Sequence, residues 1–293
     1  MSSGKRILDI GNMIFWIILL IIALMLLPFF KEGFYNDEHI DEWIAQFDTL
    51  SPQPNPEPDP SNDTIPGLEE DTMILHWRDF DGHWPYIKFT YPKAALDNAE
   101  SNRLNGSANY SIYNHLYSND KAYLANLIEK MKKDIQRRNL NYMKAVEYVC
   151  SSIQFIPYTL ILDSSGECPC REPFGTFTAN CKVQEDGRGC CANISPFGVY
   201  SPFEFLYYKT GDCDTRSLTA FTILKELGFD VAVMVSESEG HSVLGVVIPG
   251  RMNSDLSMGV NAFGKPYLLW ELTNADWRLG DQVDGDDWVA ELE

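Results

Sequence analysis

Basic side chains are scarce in this chain of 293 residues, which has 23 lysines and arginines against 42 aspartates and glutamates. The resulting net charge of −19 repels phosphate backbones, whereas nucleic-acid binding depends on basic patches that displace counterions. The composition therefore argues against nucleic acid as a partner, and it disfavours anionic membrane surfaces for the same reason. Internal repeats are also lacking. Apolar residues are plentiful at 45%, which is ample for a packed core.

The N-terminal apolar segment lacks the small-x-small cleavage site that a signal peptide carries. Residues 13–30 form an unbroken apolar run, which as a helix would be about 27 Å long and would match the hydrocarbon core of a bilayer. Bulky side chains follow where a peptidase needs small ones, so an uncleaved transmembrane anchor is favoured over a cleaved signal. Lys5 and Arg6 precede the run and acids follow it, which predicts a cytoplasmic N-terminus, residues 1–12, and an extracytoplasmic body.

An acidic, proline-rich segment follows the predicted anchor. Its alternating prolines, as in "SPQPNPEPDP", favour an extended spacer over a packed fold. Residues 31–72 are therefore predicted to be a stalk. The stalk would hold a folded domain, residues 73–293, away from the membrane in the periplasm or at the cell surface.

The cysteines lack the paired C-x-x-C spacing that is typical of zinc sites. Five of them crowd into a predicted insertion at about residues 164–195, where an oxidising compartment favours disulfides that staple a loop. A zinc site with thiolate ligands is the alternative. Cys150 lies on the apolar face of a predicted helix and is interpreted as a core residue, while Cys213 stands apart. The five clustered cysteines are Cys168, Cys170, Cys181, Cys190 and Cys191.

Hydrophobic periodicity predicts helices in the first part of the domain and strands in the second. An aromatic hairpin with a D-G turn starts near Met73, and two amphipathic helices follow within residues 121–139 and 142–155. A third helix begins near Cys213 and ends at Gly228 in a left-handed cap. Three strand-like runs come after it, "DVAVMVS", "HSVLGVVIPG" and "YLLWELT". This order favours an α+β domain with an antiparallel sheet.

Three polar residues at these elements have the side chains that nucleophilic cysteine catalysis requires. Cys213 lies at a helix start, His241 opens one strand and Glu271 lies within another. Such catalysis needs a thiolate, a histidine that exchanges protons with it, and a third group that orients the histidine. Each residue alone has an ordinary structural explanation, as a core cysteine, a surface histidine or a solvent-facing carboxylate.

The segments around these residues resemble the bacterial transglutaminase-like superfamily, which is related to the papain-type cysteine enzymes. The G-D-C of "SPFEFLYYKTGDCDTRS" precedes an apolar helix that ends in glycine, and a histidine opens the next strand. The segments "VEYVCSSIQFIPY" and "YLLWELTNADWRLG" are similar to two further parts of the family, in the right order. The resemblance covers roughly residues 74–280. It implies a transglutaminase-like, papain-like core with the nucleophile at the N-terminus of its central helix.

The resemblance also implies a role for each residue that matches the family pattern. Cys213 would be the nucleophile, His241 its general base and acid, and Glu271 the group that orients the imidazole. Many relatives have aspartate in that place, which makes Asp276 the alternative. Gln154 would donate side-chain N–H groups to the tetrahedral oxyanion, beside the backbone N–H of Cys213. No organic cofactor is implied, and no metal takes part in the chemistry.

Two aspartates flank Cys213 and oppose its ionisation, whereas a helix start and a nearby imidazolium favour it. Asp214 falls in the first helical turn, where its carboxylate can cap exposed N–H groups. Its charge is therefore expected to act on the helix more than on the sulfur. Ionisation of Cys213 is assigned mainly to His241.

The implied function is that of a membrane-anchored, extracytoplasmic cysteine enzyme that acts on an amide bond of a protein or peptide through a thioester. The acyl group would pass to water, as in a peptidase or amidase, or to an amine, as in a transglutaminase. One alternative is a catalytically inactive module with the same fold, which binds or supports other components of the cell envelope. The other is an interaction domain stabilised by disulfides or zinc in the cysteine-rich loop.

Overall fold

The computed structural model describes residues 69–106, 111–162, 191–192, 195–250, 259–281 and 283–293. All of them belong to the second of two units into which the chain divides, residues 52–293. The predicted anchor, the stalk up to residue 68 and most of the cysteine-rich insertion lie outside the described residues. None of the described helices is long and apolar enough to cross a bilayer.

The first element is an antiparallel hairpin, as its alternating aromatic pattern predicts. Strand β1 (Glu70–His76) pairs along its full length with strand β2 (Tyr86–Pro92). The strand begins at Glu70 rather than at Met73, so the end of the predicted stalk belongs to the fold. The D-G turn contains Gly82 at φ +82°, a left-handed conformation that glycine adopts without a steric penalty.

Helices make up much of the described domain, and three of them follow the predicted apolar spacing. The apolar faces of α3 and α4 are buried, with Leu127, Ile128, Met131 and Ile135 in α3 and Val146, Val149, Cys150 and Ile153 in α4. Helix α1 has no such stripe, because its buried face consists of Ala95, Ala99 and Arg103. The helices are α1 (Ala95–Leu104), α2 (Ile112–Asp120), α3 (Ala125–Arg137), α4 (Tyr142–Gln154), α5 (Pro202–Tyr208) and α6 (Cys213–Glu226).

A five-stranded antiparallel sheet forms the second layer, with the order β7-β8-β6-β5-β9. A separate two-residue pair, β3 with β4, runs parallel. The mixed α+β class with an antiparallel sheet is thus confirmed, although β7 and β9 were not expected. The strands are β3 (Leu160–Ile161), β4 (Cys191–Ala192), β5 (Val231–Ser236), β6 (His241–Val247), β7 (Gly259–Ala262), β8 (Lys265–Trp270) and β9 (Val289–Leu292).

Helix α6 is the central helix of the domain. It packs on β5 and β6 of the sheet and on the helices α4 and α5. Neighbours on several sides bury nearly its whole first half, including the polar residues Thr215, Arg216 and Ser217. Its C-terminal end is the predicted one, because Gly228 follows at φ +91°. The fold therefore brings the start of α6, with Cys213, against the N-terminal end of β6, which begins at His241.

Candidate active site

The two aspartates that flank Cys213 have different partners. Asp212 is the N-cap of α6, and its Oδ1 accepts a hydrogen bond of 3.2 Å from the backbone N–H of Thr215. Asp214 instead accepts a hydrogen bond of 2.8 Å from the hydroxyl of Tyr113 and another from the hydroxyl of Ser242. The expectation that Asp214 caps the helix is therefore wrong. Asp212 caps the helix because its backbone is extended, as an N-cap requires, whereas Asp214 already lies inside the helix.

The turn before Cys213 holds the thiol by close packing. A Cβ atom on Gly211 would approach the ring of Phe205 to 2.5 Å, so no larger residue fits there without movement. The second carboxylate oxygen of Asp212 accepts a hydrogen bond of 3.1 Å from the backbone N–H of Ile161. The turn before Cys213 is thus fixed to the segment that follows α4.

The thiol of Cys213 is free, and only 8% of the residue is exposed. Burial, together with the charges of Asp214 and Asp212, raises its pKa well above the ordinary value for a thiol. The backbone of Ser242 in β6 acts on this pKa in the opposite direction. Two hydrogen bonds join the start of α6 to the strand that carries the histidine: the hydroxyl of Ser217 donates to the carbonyl oxygen of Ser242 at 3.2 Å, and the hydroxyl of Ser242 donates to Asp214.

His241 and Glu271 form a close, largely buried pair. The Nε2 atom of the imidazole lies 2.6 Å from Oε2 of Glu271, whose other oxygen accepts 2.7 Å from the N–H of Thr273. Burial lowers the pKa of His241, but the hydrogen bond and charge of Glu271 outweigh it and raise that pKa. Burial likewise raises the pKa of Glu271, and the bonds from His241 and Thr273 lower it overall. Since Nε2 faces the carboxylate, a proton exchanged with a thiol would pass through Nδ1.

Glu271, and not Asp276, is the carboxylate that contacts His241. Strand β8 ends at Trp270, so Glu271 follows the strand instead of lying within it as expected. Asp276 has a left-handed backbone at φ +72° and lines a small surface cavity with Phe155.

Gln154 ends α4 and is buried, but its amide contacts main-chain carbonyls. The Nε2 atom donates to the carbonyl oxygen of Glu271 at 2.9 Å and to that of Trp277 at 3.0 Å. A primary amide has two N–H groups, and these two bonds use both of them. The expected hydrogen bond to an oxyanion is therefore not available in this arrangement. Gln154 instead fixes the backbone of the residue that orients His241.

Sequence reasoning missed Arg216, which is fully buried one turn into α6. Its guanidinium donates to the carbonyl oxygens of Gly211, Ile153, Leu272 and Ile156. A signal was present, since this basic residue lies in the first turn of α6, where the helix dipole disfavours a positive charge. Charged residues are almost never fully buried unless other groups satisfy them.

Two tyrosines were also missed. The Tyr113 hydroxyl binds Asp214, and Tyr158 forms a parallel bridge with Gly211. Burial raises the pKa of both hydroxyls, and the charges of Asp214 and Cys213, respectively, raise it further. Both tyrosines therefore stay protonated at neutral pH.

The fold and the site together define an α+β protein with a buried free thiol at a helix start, beside a strand that opens with a histidine–carboxylate pair. Within the described ranges, no group of three or more histidine, cysteine, aspartate or glutamate residues is arranged to hold a metal ion. Comparisons with protein-family models, with curated protein sequences and with solved structures find no match to this chain.

Proposed function

We propose that this chain is a transglutaminase-like cysteine enzyme that cleaves or transfers amide bonds of a protein or peptide. The observation that carries the proposal is the 2.6 Å contact between His241 and Glu271, at the start of the strand whose next residue, Ser242, is hydrogen-bonded to the first turns of α6 beside Cys213. A free thiol at a helix N-terminus, with an oriented imidazole nearby, is the arrangement that cysteine nucleophiles use.

The proposed reaction begins when Nδ1 of His241 takes the thiol proton of Cys213. The thiolate sulfur attacks the amide carbonyl carbon, a C–S bond forms, and the carbonyl oxygen becomes an oxyanion. The imidazolium then gives its proton to the amide nitrogen, the C–N bond breaks, and the amine leaves a thioester on Cys213. In the second half His241 deprotonates water or an amine, which attacks the thioester carbonyl, and the thiolate of Cys213 departs.

Glu271 supports both halves of this cycle through its contact with His241. A carboxylate at 2.6 Å stabilises the imidazolium and holds the ring in one orientation. For the oxyanion, the backbone N–H of Cys213 is the donor we assign, because the first N–H groups of a helix have no intrahelical partner. Gln154 is assigned the indirect role of fixing Glu271.

The location we propose follows from the sequence. The apolar run at residues 13–30 would anchor the chain, and the acidic stalk would hold the enzyme outside the cytoplasm. The substrate would then be an extracytoplasmic protein or peptide.

A peptide-library digest with the full-length chain tests the proposal, with Cys213→Ala as the matched control. We expect new peptide termini with the wild type and none above background with the variant. Adding a primary amine separates the two outcomes of the second half-reaction, because acyl transfer leaves a product heavier by the amine. Equal cleavage by both chains, or none by either, would contradict the proposal.

A second candidate is a binding module of the cell envelope that has lost catalysis. The burial of Cys213 and the use of both Gln154 hydrogens by main-chain carbonyls favour it. In that case a peptide would bind the wild type and Cys213→Ala with equal affinity and would stay intact.

A further inference from the structure

Arg216 connects three segments that each carry a residue of the proposed site. Its Nε donates to the carbonyl of Gly211, two residues before Cys213, at 3.1 Å. One terminal nitrogen donates at 3.1 Å to the carbonyl of Ile153, beside Gln154, and at 3.1 Å to that of Leu272, beside Glu271. The other donates to the carbonyl of Ile156. A planar fork with fixed donor directions can hold several carbonyls in one arrangement, which a single ammonium cannot do.

The positive charge of Arg216 is buried together with these bonds. The residue is fully inaccessible, and no carboxylate among the described residues makes an ion pair with it. The rings of Tyr158 and Phe205 lie 5.6 Å and 5.8 Å from the guanidinium carbon. Burial lowers the pKa of Arg216 to about 10, so the group remains charged at neutral pH. Burying such a charge is costly, and the carbonyl acceptors together with the charges of Asp212, Glu271 and Cys213 favour the charged guanidinium.

The surroundings of Cys213 are otherwise dominated by acids. Asp212 and Asp214 flank it, and Glu271 acts on it from the loop after β8. Burial raises the pKa of Asp212 to about 7, so this carboxylate is partly ionised near neutral pH. The hydroxyls of Tyr113 and Tyr158, whose pKa values the charge of Cys213 raises, stay neutral. Two cations face this group from the described elements, His241 at the start of β6 and Arg216 on α6, and Glu239 also acts on His241.

Building on the proposed function, we propose that Arg216 is a positioning residue with an electrostatic role, whose permanent charge favours the thiolate of Cys213 while its fork aligns Gly211, the end of α4 and Leu272.

Two physical arguments support this assignment. The interaction between two charges is reciprocal: an anionic Cys213 favours the charged guanidinium, so the guanidinium favours the anionic sulfur. In addition, His241 must give up its proton during turnover, whereas a guanidinium does not titrate near neutral pH. Arg216 therefore opposes the three acids at every stage of the cycle, including the stages in which the imidazole is neutral.

The pH dependence of Cys213 alkylation by iodoacetamide tests the inference without any substrate. Site-resolved mass spectrometry follows the Cys213 peptide of the full-length chain in the wild type, Arg216→Met and Arg216→Lys. Arg137→Met is the matched control, because Arg137 is exposed on α3. We expect Arg216→Met to raise the alkylation midpoint by about one pKa unit or more, which is about a tenfold slower reaction below the midpoint.

Arg216→Lys separates the charge from the fork. We expect its midpoint to stay within about half a unit of the wild type, since the charge remains, while turnover falls because an ammonium cannot bind all of these carbonyls. Near-UV circular dichroism checks that each variant is folded. An unchanged midpoint in folded Arg216→Met overturns the inference. If that variant does not fold, a midpoint raised by a full unit in Arg216→Lys overturns it as well.

These outcomes differ from a failure of the proposed function. A wild type that alkylates selectively at Cys213 with an Arg216-dependent midpoint, but cleaves no peptide, would retract the enzyme alone. A wild type that cleaves peptides, with a midpoint indifferent to Arg216→Met, would retract the role of Arg216 alone.

Discussion

Cys150 and Cys213 are both buried free thiols on helices, yet their surroundings differ completely. Cys150 lies in the interior of α4, where burial and the charge of Glu147 raise its pKa. Cys213 is 8% exposed and is the first residue of α6, whose first turns are hydrogen-bonded to Ser242 of β6. The charges of Glu271 and Arg216 interact with it, and the neighbouring strand begins with His241. Burial alone therefore does not distinguish a core cysteine from a candidate nucleophile. What distinguishes them is a position at the end of a helix, next to the end of a strand that carries polar side chains.

The contrast also explains why ionisation of Cys213 needs polar groups that offset the cost of desolvation. An apolar environment disfavours thiolate at both positions, because desolvation penalises charge. At Cys213 the groups proposed to offset this penalty are the imidazole of His241 on β6 and the guanidinium of Arg216 on α6, whereas the charge of Glu271 adds to the penalty. The following expectations test whether those groups distinguish the two thiols.

Replacing His241 by alanine should give the largest separation between the two cysteines. Without the imidazole, the acids around Cys213 act against its ionisation, and alkylation at pH 7 should slow by about 100-fold. The Cys150 peptide should be unaffected, and His76→Ala, an exposed change on β1, should leave both rates as they are. Site-resolved mass spectrometry measures each rate. An unchanged alkylation rate of Cys213 would mean that His241 does not cause the difference in reactivity between the two thiols.

Gln154→Leu tests whether the end of α4 acts on stability or on the oxyanion. The buried carbonyl of Glu271 would lose this donor, and that of Trp277 would keep only the bond from the indole of Trp270, so the unfolding free energy should fall by about 1–3 kcal/mol. Urea unfolding measures this, with the exposed Gln136→Leu as a near-neutral control. An oxyanion donor would behave differently: turnover would drop about 10²–10³-fold while stability stayed near that of the wild type.

Glu271→Gln should show a pH-dependent effect that Cys150 cannot produce. The pKa of Glu271 is lowered, so its stabilisation is present above the ordinary pKa of 4.5 and is lost as pH falls through the folded value. The pKa of His241 is raised, so its stabilisation is present below 6.5 and is lost as pH rises through the folded value. The pair should therefore contribute most between pH 4.5 and 6.5.

Within that window we expect a loss of about 1.5 kcal/mol in the variant, the usual size for a hydrogen bond to a charged group. Urea unfolding at several pH values measures the difference between wild type and variant. The same difference for Cys150→Ala should be flat across this range, since that thiol stays neutral. A flat profile for Glu271→Gln would contradict the ion pair.

Cys150→Ala should have the smallest effect. Removing one buried sulfur leaves a small cavity and should lower the unfolding free energy by about 1 kcal/mol. Turnover and the alkylation rate of Cys213 should not change, which a peptide assay and labelling can verify. A substantial loss of either would show that the interior of α4 takes part in the site.

The elements that sequence reasoning predicted are those whose burial follows a local period. The hairpin and helices α3, α4 and α6 place apolar residues on one face, and such spacing is visible within a dozen residues. Helix α1 escaped this test because Arg103 on its buried face is satisfied by Glu204, which is 101 residues away along the chain. Strand β9 escaped it too, because only its pairing with β5 shows that it is a strand.

The candidate site divides in the same way. The positions of Cys213 and His241 at the ends of elements could be predicted. So could the carboxylate, as Glu271 with Asp276 as the alternative. The roles of Gln154 and Asp214 could not, since an amide or carboxylate has several possible partners and the sequence does not rank them. Arg216 was missed because a charge inside a helix is usually solvated, and its four carbonyl partners lie on three separate segments.

The sequence by itself determined where α6 begins and ends, because an N-cap aspartate and a left-handed glycine act on their immediate neighbours. It also determined that a thiol would stand at that start. Only the tertiary structure decided that Glu271 contacts the imidazole 30 residues away, and that Gln154 binds the Glu271 carbonyl from 117 residues away. Capping depends on a few adjacent dihedral angles, whereas the choice among distant partners depends on how whole layers pack.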